Sequence, residues 1–165
     1  MDELQGLIAR EIPHLHRYAL TLMRNPDAAD DLVQDCLERA LRKRQLWQQQ
    51  GSMRSWLFRM LYNVFLNTRH TRRRDRQVVP LETIAPTMTA SPRQETYIEY
   101  RTIAQALDRL PEQQSTAIML IALEGLAYNE AAWILGVPVG TLRSRLSRGR
   151  ETLRTLRAGT SAAQQ

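Results

Sequence analysis

The segment from Tyr128 to Arg150, YNEAAWILGVPVGTLRSRLSRGR, limits what this chain can fold into more than any other stretch. Ala131 and Ala132 precede Gly136 by four to five residues, and small side chains there let a second helix approach closely. Gly136 can take the positive φ needed to leave a first helix. Pro138 fits near the start of the next helix, where its missing N–H costs little. Val139, Leu142 and Leu146 then recur at helical spacing and face inward. Arg143, Ser144, Ser147 and Arg148 fall on the outer face, flanked by Arg145 and Arg150. A short helix, a tight turn and a second helix with a basic outer face form a helix-turn-helix pattern. Such a second helix suits a DNA major groove, where arginine can pair two donors with guanine O6 and N7. An ordinary bundle helix with a solvated basic face would share the charge but would not need the turn.

The chain has 165 residues, enough for one domain or two small ones, and carries a net charge of +6. That charge favours an anionic partner, nucleic acid first. Glycine and proline are sparse and helix formers abound, so the expected class is all-α. The single cysteine, Cys36, sits inside a helical pattern and has no internal disulfide partner. A reducing cytoplasm is therefore expected. No apolar run approaches the ~20 residues a membrane span needs. The N-terminal MDELQGLIAREI is too acidic for a signal peptide.

Helical patterns occupy residues 1–74. A short helix over Asp2–Ile12 is followed by one opening at Pro13, and Asn25-Pro26-Asp27 is a turn and cap signal. The next helix, about Ala28 to Trp47, turns Leu32, Val33, Cys36, Leu37, Ala40 and Leu41 inward. Its outer face is acidic early and basic late, which suits the helix dipole. Gln48 to Ser52 is a polar loop, and a long basic helix runs from Met53 to Arg74 with Leu57, Met60, Leu61, Val64 and Phe65 buried. Residues 75–93 hold three of the seven prolines with Thr and Ser and no helical period, the pattern of a flexible linker. Helices resume over 94–157, with a break at Leu110-Pro111-Glu112 and an end at Gly125 ahead of the helix-turn-helix. Residues 158–165 are expected to fray.

Asp31, Gln34, Asp35 and Glu38 are spaced by three and four residues and form a stripe on one helix. No histidine joins them, so a metal site is not indicated. A solvated face and a docking surface for a basic partner both fit the stripe. His14 and His16, two apart, point to different sides of a helix. No zinc spacing, phosphate-binding glycine loop or catalytic triad is present, so no catalytic site, metal or cofactor is expected. Around the long basic helix, Trp47, Trp56, Phe58, Tyr62 and Phe65 interleave with Arg54, Arg59 and Arg69. Most of these aromatics belong to a core. An exposed aromatic beside arginine is also what single-stranded DNA needs, for stacking and for charge. The Gln48-Gln49-Gln50 loop could cradle an extruded base through amide hydrogen bonds, or be a plain surface loop.

Three stretches in order, NPDAADDLVQDCLERAL, SWLFRMLYNVFLNTRHTRRR and ALDRLPEQQSTAIMLIALEGLAYNEAAWILGVPVGTLRSRL, resemble bacterial sigma factors of the extracytoplasmic-function class. The resemblance spans nearly the whole chain. Within the class, the first half most resembles the general-stress-response group of alphaproteobacteria. The resemblance implies two helical domains, sigma-two (1–74) and sigma-four (94–157), joined by a linker too short to hold the intermediate domain of housekeeping sigma factors. It implies that Asp31, Gln34, Asp35 and Glu38 dock on the clamp coiled coil of the largest subunit of core RNA polymerase. Gln48, Gln49, Gln50, Arg54, Trp56, Arg59, Asn63 and Arg69 fall on the segments that face the melted −10 element. Thr141, Arg143, Ser144, Ser147 and Arg148 fall on the positions that meet the −35 element of promoter DNA. Asn67 stands where the family commonly has Asp, and Ser147 where some members are bulkier, which leaves the −35 preference open. Members of the class are usually held by an anti-sigma protein. A sigma-like decoy that binds an anti-sigma, and a free-standing helix-turn-helix regulator, are the rival readings.

Overall fold

In a computed structural model, residues 3–47, 51–75 and 105–162 are described, with the side chains of 70–75 and 160–162 outside that description. The expected linker beyond Asp75, and residues 94–104 of the helix expected over 94–109, lie outside the described residues. The chain divides into two compact units, Met1–Ala90 and Ser91–Gln165. The described residues are helical, without strands.

The first unit is built from α1 (Glu3–Met23), α2 (Pro26–Arg42) and α3 (Met53–Asp75), each packed against the other two. Helix α1 buries Ile8, Leu15, Tyr18, Ala19 and Leu22, a 3.6-residue stripe. The expected break at Pro13 does not occur: α1 runs through it. Proline in a helix interior costs about 3 kcal/mol. Ile8 and Leu15 stand two turns apart on one face and are buried on either side of Pro13, so continuous packing holds the helix together. Asn25 then caps α2, its side-chain oxygen accepting from the Ala28 N–H at 3.0 Å, with Pro26 at the first helical position.

Leu32, Val33, Cys36 and Ala40 of α2 are buried as their spacing requires. Leu41 was expected inward and is instead 42% exposed. It lies four residues beyond half-buried Leu37, on the border of the apolar stripe rather than in it. Helix α2 also stops at Arg42, short of the expected Trp47, and a 3-10 turn over Arg44–Leu46 leads away. From α3, Leu57, Phe58, Leu61, Val64 and Phe65 fill the core, while Met60 is half-buried. Tyr18 and Phe58 meet with ring centroids 4.9 Å apart. Burial of each Leu or Phe contributes about 2 kcal/mol.

The second unit contains α4 (Glu112–Ile118), a π-turn (Met119–Leu123), α5 (Tyr128–Leu135) and α6 (Val139–Ala162). Residues 105–108 precede α4 as a helical segment that ends before Pro111. The helix expected to end at Gly125 closes instead through the π-turn, where the Glu124 N–H reaches back five residues to the Met119 carbonyl at 3.0 Å. Helix α4 packs on α6, whose Gly149 makes that approach possible. A Cβ on Gly149 would stand 2.7 Å from Ile118 Cδ1. Helix α6 continues to Ala162, five residues past its expected end.

Candidate nucleic-acid interface

The turn between α5 and α6 is built as its residue types require. Gly136 has φ 65° and closes α5 in the left-handed conformation. Its N–H donates to the Trp133 carbonyl at 3.3 Å, and the Val137 N–H donates to the Ala132 carbonyl at 3.1 Å. These two bonds form a Schellman cap, which satisfies carbonyls that a helix end would leave open. Ala131 and Ala132 are buried against α6, and Leu142 and Leu146 face them. With that inner face fixed, Arg143, Ser144, Ser147 and Arg148 are all exposed, as is Arg150, while Arg145 and Thr141 are half-buried. Arg143 is not loose: its guanidinium carbon lies 5.7 Å from the Tyr128 ring centroid, over the ring.

In the first unit, Asp31, Gln34, Asp35 and Glu38 are all exposed along α2. Beside them, Asp30 meets His16 of α1 at 3.2 Å. On the opposite side of the same helix the Cys36 thiol is buried, and burial pushes its pKa from 9.0 up to about 12. Its Sγ donates to the Leu57 carbonyl at 3.7 Å. A thiol so placed stays protonated at neutral pH and acts as a packed core group.

Of the residues expected near the −10 strand, Gln48, Gln49 and Gln50 lie outside the described residues. Gly51 and Ser52 lead into α3, where Ser52 Oγ accepts from the Ser55 N–H at 3.1 Å and so caps the helix. Half-buried Trp56 and Arg59 and exposed Asn63 are spaced by three and four residues, so they share one stripe. Exposed Arg69 falls roughly a third of a turn away from Asn63. Arg54 does not join this stripe. Its Nε donates to Glu11 Oε2 at 2.7 Å, and its Nη2 donates to His14 Nε2 at 2.9 Å, which turns it against α1. Glu11 was not among the expected functional residues. Its contact with Arg54 spans forty-three positions of sequence and leaves no local signal. Tyr128 was missed for the same reason, being fifteen positions from Arg143.

One chain thus holds a three-helix unit with an acidic face on α2 and a second unit with a basic helix-turn-helix of the kind that binds nucleic acid. Residues 8–62 match the family described as "Sigma2 domain of PhyR", and residues 100–153 match "Sigma-70, region 4". The chain is 37% identical to the ECF RNA polymerase sigma factor EcfG of Rhodopseudomonas palustris, over 94% of this chain and 85% of that one. It is 33% identical to the ECF RNA polymerase sigma factor SigM of Mycobacterium tuberculosis, over 91% and 74%. Among solved structures it resembles the sigma factor RpoE of Bartonella quintana, crystallised with the anti-sigma factor NepR. That likeness has a TM-score of 0.77 and 32% identity over 94% of this chain and 97% of that one. The chain belongs to the extracytoplasmic-function family of RNA polymerase sigma factors. It is a promoter-specificity subunit, which binds core RNA polymerase and directs initiation at chosen promoters.

Proposed function

We propose the following division of labour within that function. The acidic face of α2, through Asp31, Gln34, Asp35 and Glu38, grips the clamp coiled coil of core polymerase. Residues Gln48, Gln49 and Gln50, with the Trp56, Arg59 and Asn63 stripe and Arg69 further along, hold the unpaired −10 strand. Arg54 serves that site by fixing the start of α3. The face made by Arg143, Ser144, Ser147 and Arg148 reads −35 duplex, with Thr141 at a phosphate. The corresponding boundaries are 1–74 for the polymerase and −10 unit, 75–93 for the connection, 94–157 for the −35 unit and 158–165 for the tail.

One observation carries this reading. A single chain presents an exposed acidic face on one helix and an exposed arginine-serine face on another, each backed by a buried apolar stripe. Opposite charge steers each face to a different partner. Melting then draws on binding energy for extruded bases, and the protein performs no catalytic step of its own. An anti-sigma protein is the third partner we propose, supported by the 32% identity to the RpoE crystallised with NepR. The proposed compartment is the cytoplasm, and no helix among the described residues is long and apolar enough to cross a membrane.

One observation favours a second reading. The first unit matches a family described by the sigma-two domain of PhyR, and structures of PhyR, an anti-anti-sigma factor, share the fold at 18% identity. A decoy of that kind needs no DNA-reading face, whereas Arg143 and Arg148 stand exposed here. Run-off transcription with core polymerase and a promoter pool separates the two. Start sites that depend on the protein and share two spaced motifs support the promoter reading. Anti-sigma capture without initiation supports the decoy.

A further inference from the structure

Among the arginines on the reading face, Arg143 is oriented before any DNA arrives. Tyr128 is the first residue of α5 and Arg143 the fifth of α6. The ring reaches Arg143 because α5 packs on α6, not because the two are near in sequence. Ala131, Ala132 and Ile134 on one helix, with Leu142 and Leu146 on the other, are at most 3% exposed and make that crossing rigid. A guanidinium within about 6 Å of a tyrosine ring centroid is attracted to the ring face, and Arg143 meets that condition at 5.7 Å. The geometry has a useful consequence. The ring face attracts the guanidinium charge without offering it an oxygen acceptor, whereas pairing with a base edge uses the N–H groups around the guanidinium rim. A ring platform therefore restricts the side chain without consuming its donors. It also reduces the rotamer freedom that would otherwise be lost when DNA binds.

We propose that Tyr128 is a specificity-determining positioning residue, whose ring orients Arg143 toward one base pair of the −35 element. This rests on the reading of Arg143 as a base contact. Tyr128 acts through its ring face, so its hydroxyl is dispensable. Arg148, exposed on the same helix, shows no such ring contact among the described residues and serves as the internal control.

The test uses the full chain assembled with core polymerase, on −35 duplexes that differ by single base pairs. Arg143→Ala first identifies the base pair it reads. Tyr128→Leu is then expected to lower discrimination at that same pair about two- to five-fold, the size of an exposed cation–π contact. Tyr128→Phe is expected to retain it. In the Arg143→Ala background, Tyr128→Leu should change discrimination no further, whereas in an Arg148→Ala background its effect should persist in full. An equal loss for Tyr128→Phe and Tyr128→Leu would assign the role to the hydroxyl and overturn the proposal. So would an undiminished Tyr128→Leu effect when Arg143 is absent. Proton NMR of the free protein checks the contact without DNA. Arg143 side-chain resonances should lie upfield in the wild type and in Tyr128→Phe, and return to ordinary positions in Tyr128→Leu, with the remaining spectrum folded. No upfield shift in the wild type overturns the platform. Uniform affinity loss by Arg143→Ala on every duplex, with the upfield shift intact, overturns instead the base-contact reading beneath it.

Discussion

In α3 the first arginine, Arg54, faces inward, donating to Glu11 at 2.7 Å and to His14 at 2.9 Å. In α6 the first arginine, Arg143, stays exposed above the Tyr128 ring. The difference lies in the partner. A carboxylate occupies the N–H donors that a nucleic acid would need. An aromatic face leaves them available. The same residue type therefore ties one helix into its unit and leaves the other helix with an exposed guanidinium. Counting arginines along a helix does not separate the two cases, but their intrachain partners do.

The largest effect that can sharpen this contrast lies under α6. Leu142 is fully buried, and Leu142→Ala should destabilise the second unit by about 2–5 kcal/mol. Ser144→Ala, on the exposed face, should change stability by less than about 0.5 kcal/mol. Chemical denaturation of both variants measures this, and equal losses would mean that the two faces are not divided as described. Next comes a crossed pair. Arg143→Ala should cost about 1–3 kcal/mol of −35 base discrimination with little loss of fold stability. Arg54→Ala should do the reverse, costing about 1 kcal/mol of stability once its partial exposure is discounted. Binding to single-base duplex variants and thermal melts decide between them. An interchange of the two patterns would break the comparison. Reversing charge with Asp31→Lys and Asp35→Lys should weaken core polymerase binding roughly tenfold, more steeply at low salt, with unchanged helical circular dichroism. Unchanged core affinity would remove α2 from the docking surface.

The smallest effect is confined to the first unit, which holds the only cysteine. The folded Cys36 thiol has its pKa raised from 9.0 to about 12. The folded state therefore binds that proton more tightly than the unfolded chain. Its contribution is complete below pH 9.0 and is lost as pH rises toward 12. Stability of the first unit should fall by about 1 kcal/mol within the first pH unit above 9.0, and Cys36→Ala should flatten that slope. Denaturation at pH 8 and pH 10 for both proteins checks it. Equal slopes would show that other groups carry the alkaline loss.

Periodicity alone located much of the scaffold. Leu57, Leu61, Val64, Leu142 and Leu146 recur at helical spacing and are buried, and Gly136 turns the chain as its missing side chain allows. The exposed faces followed, because what is not needed inside a small helical unit is left outside. The failures share a cause. Pro13 was expected to break a helix on local grounds, but burial of Ile8 and Leu15 on both sides outweighed the local cost. The π-turn at Met119–Leu123 has no sequence signature at this level. Leu41 has the right residue type at the margin of a stripe, where one position decides its exposure. Glu11 with Arg54, and Tyr128 with Arg143, are pairs made by helix crossings. Their roles depend on distances that no spacing rule along the chain can supply.

The turn between α1 and α2 sets how the first unit is braced. Two residues separate the helices. Arg24 is left-handed, with φ 57°, and Asn25 is bonded into the cap of α2. Neither leaves slack. The turn therefore holds α2 close to α1 as a short elbow. From α1 the Glu11–Arg54 pair acts as a strut to the first turn of α3, next to Gly51 and Ser52. The short turn and the Glu11–Arg54 pair thus brace α2, α1 and the head of α3 into one frame.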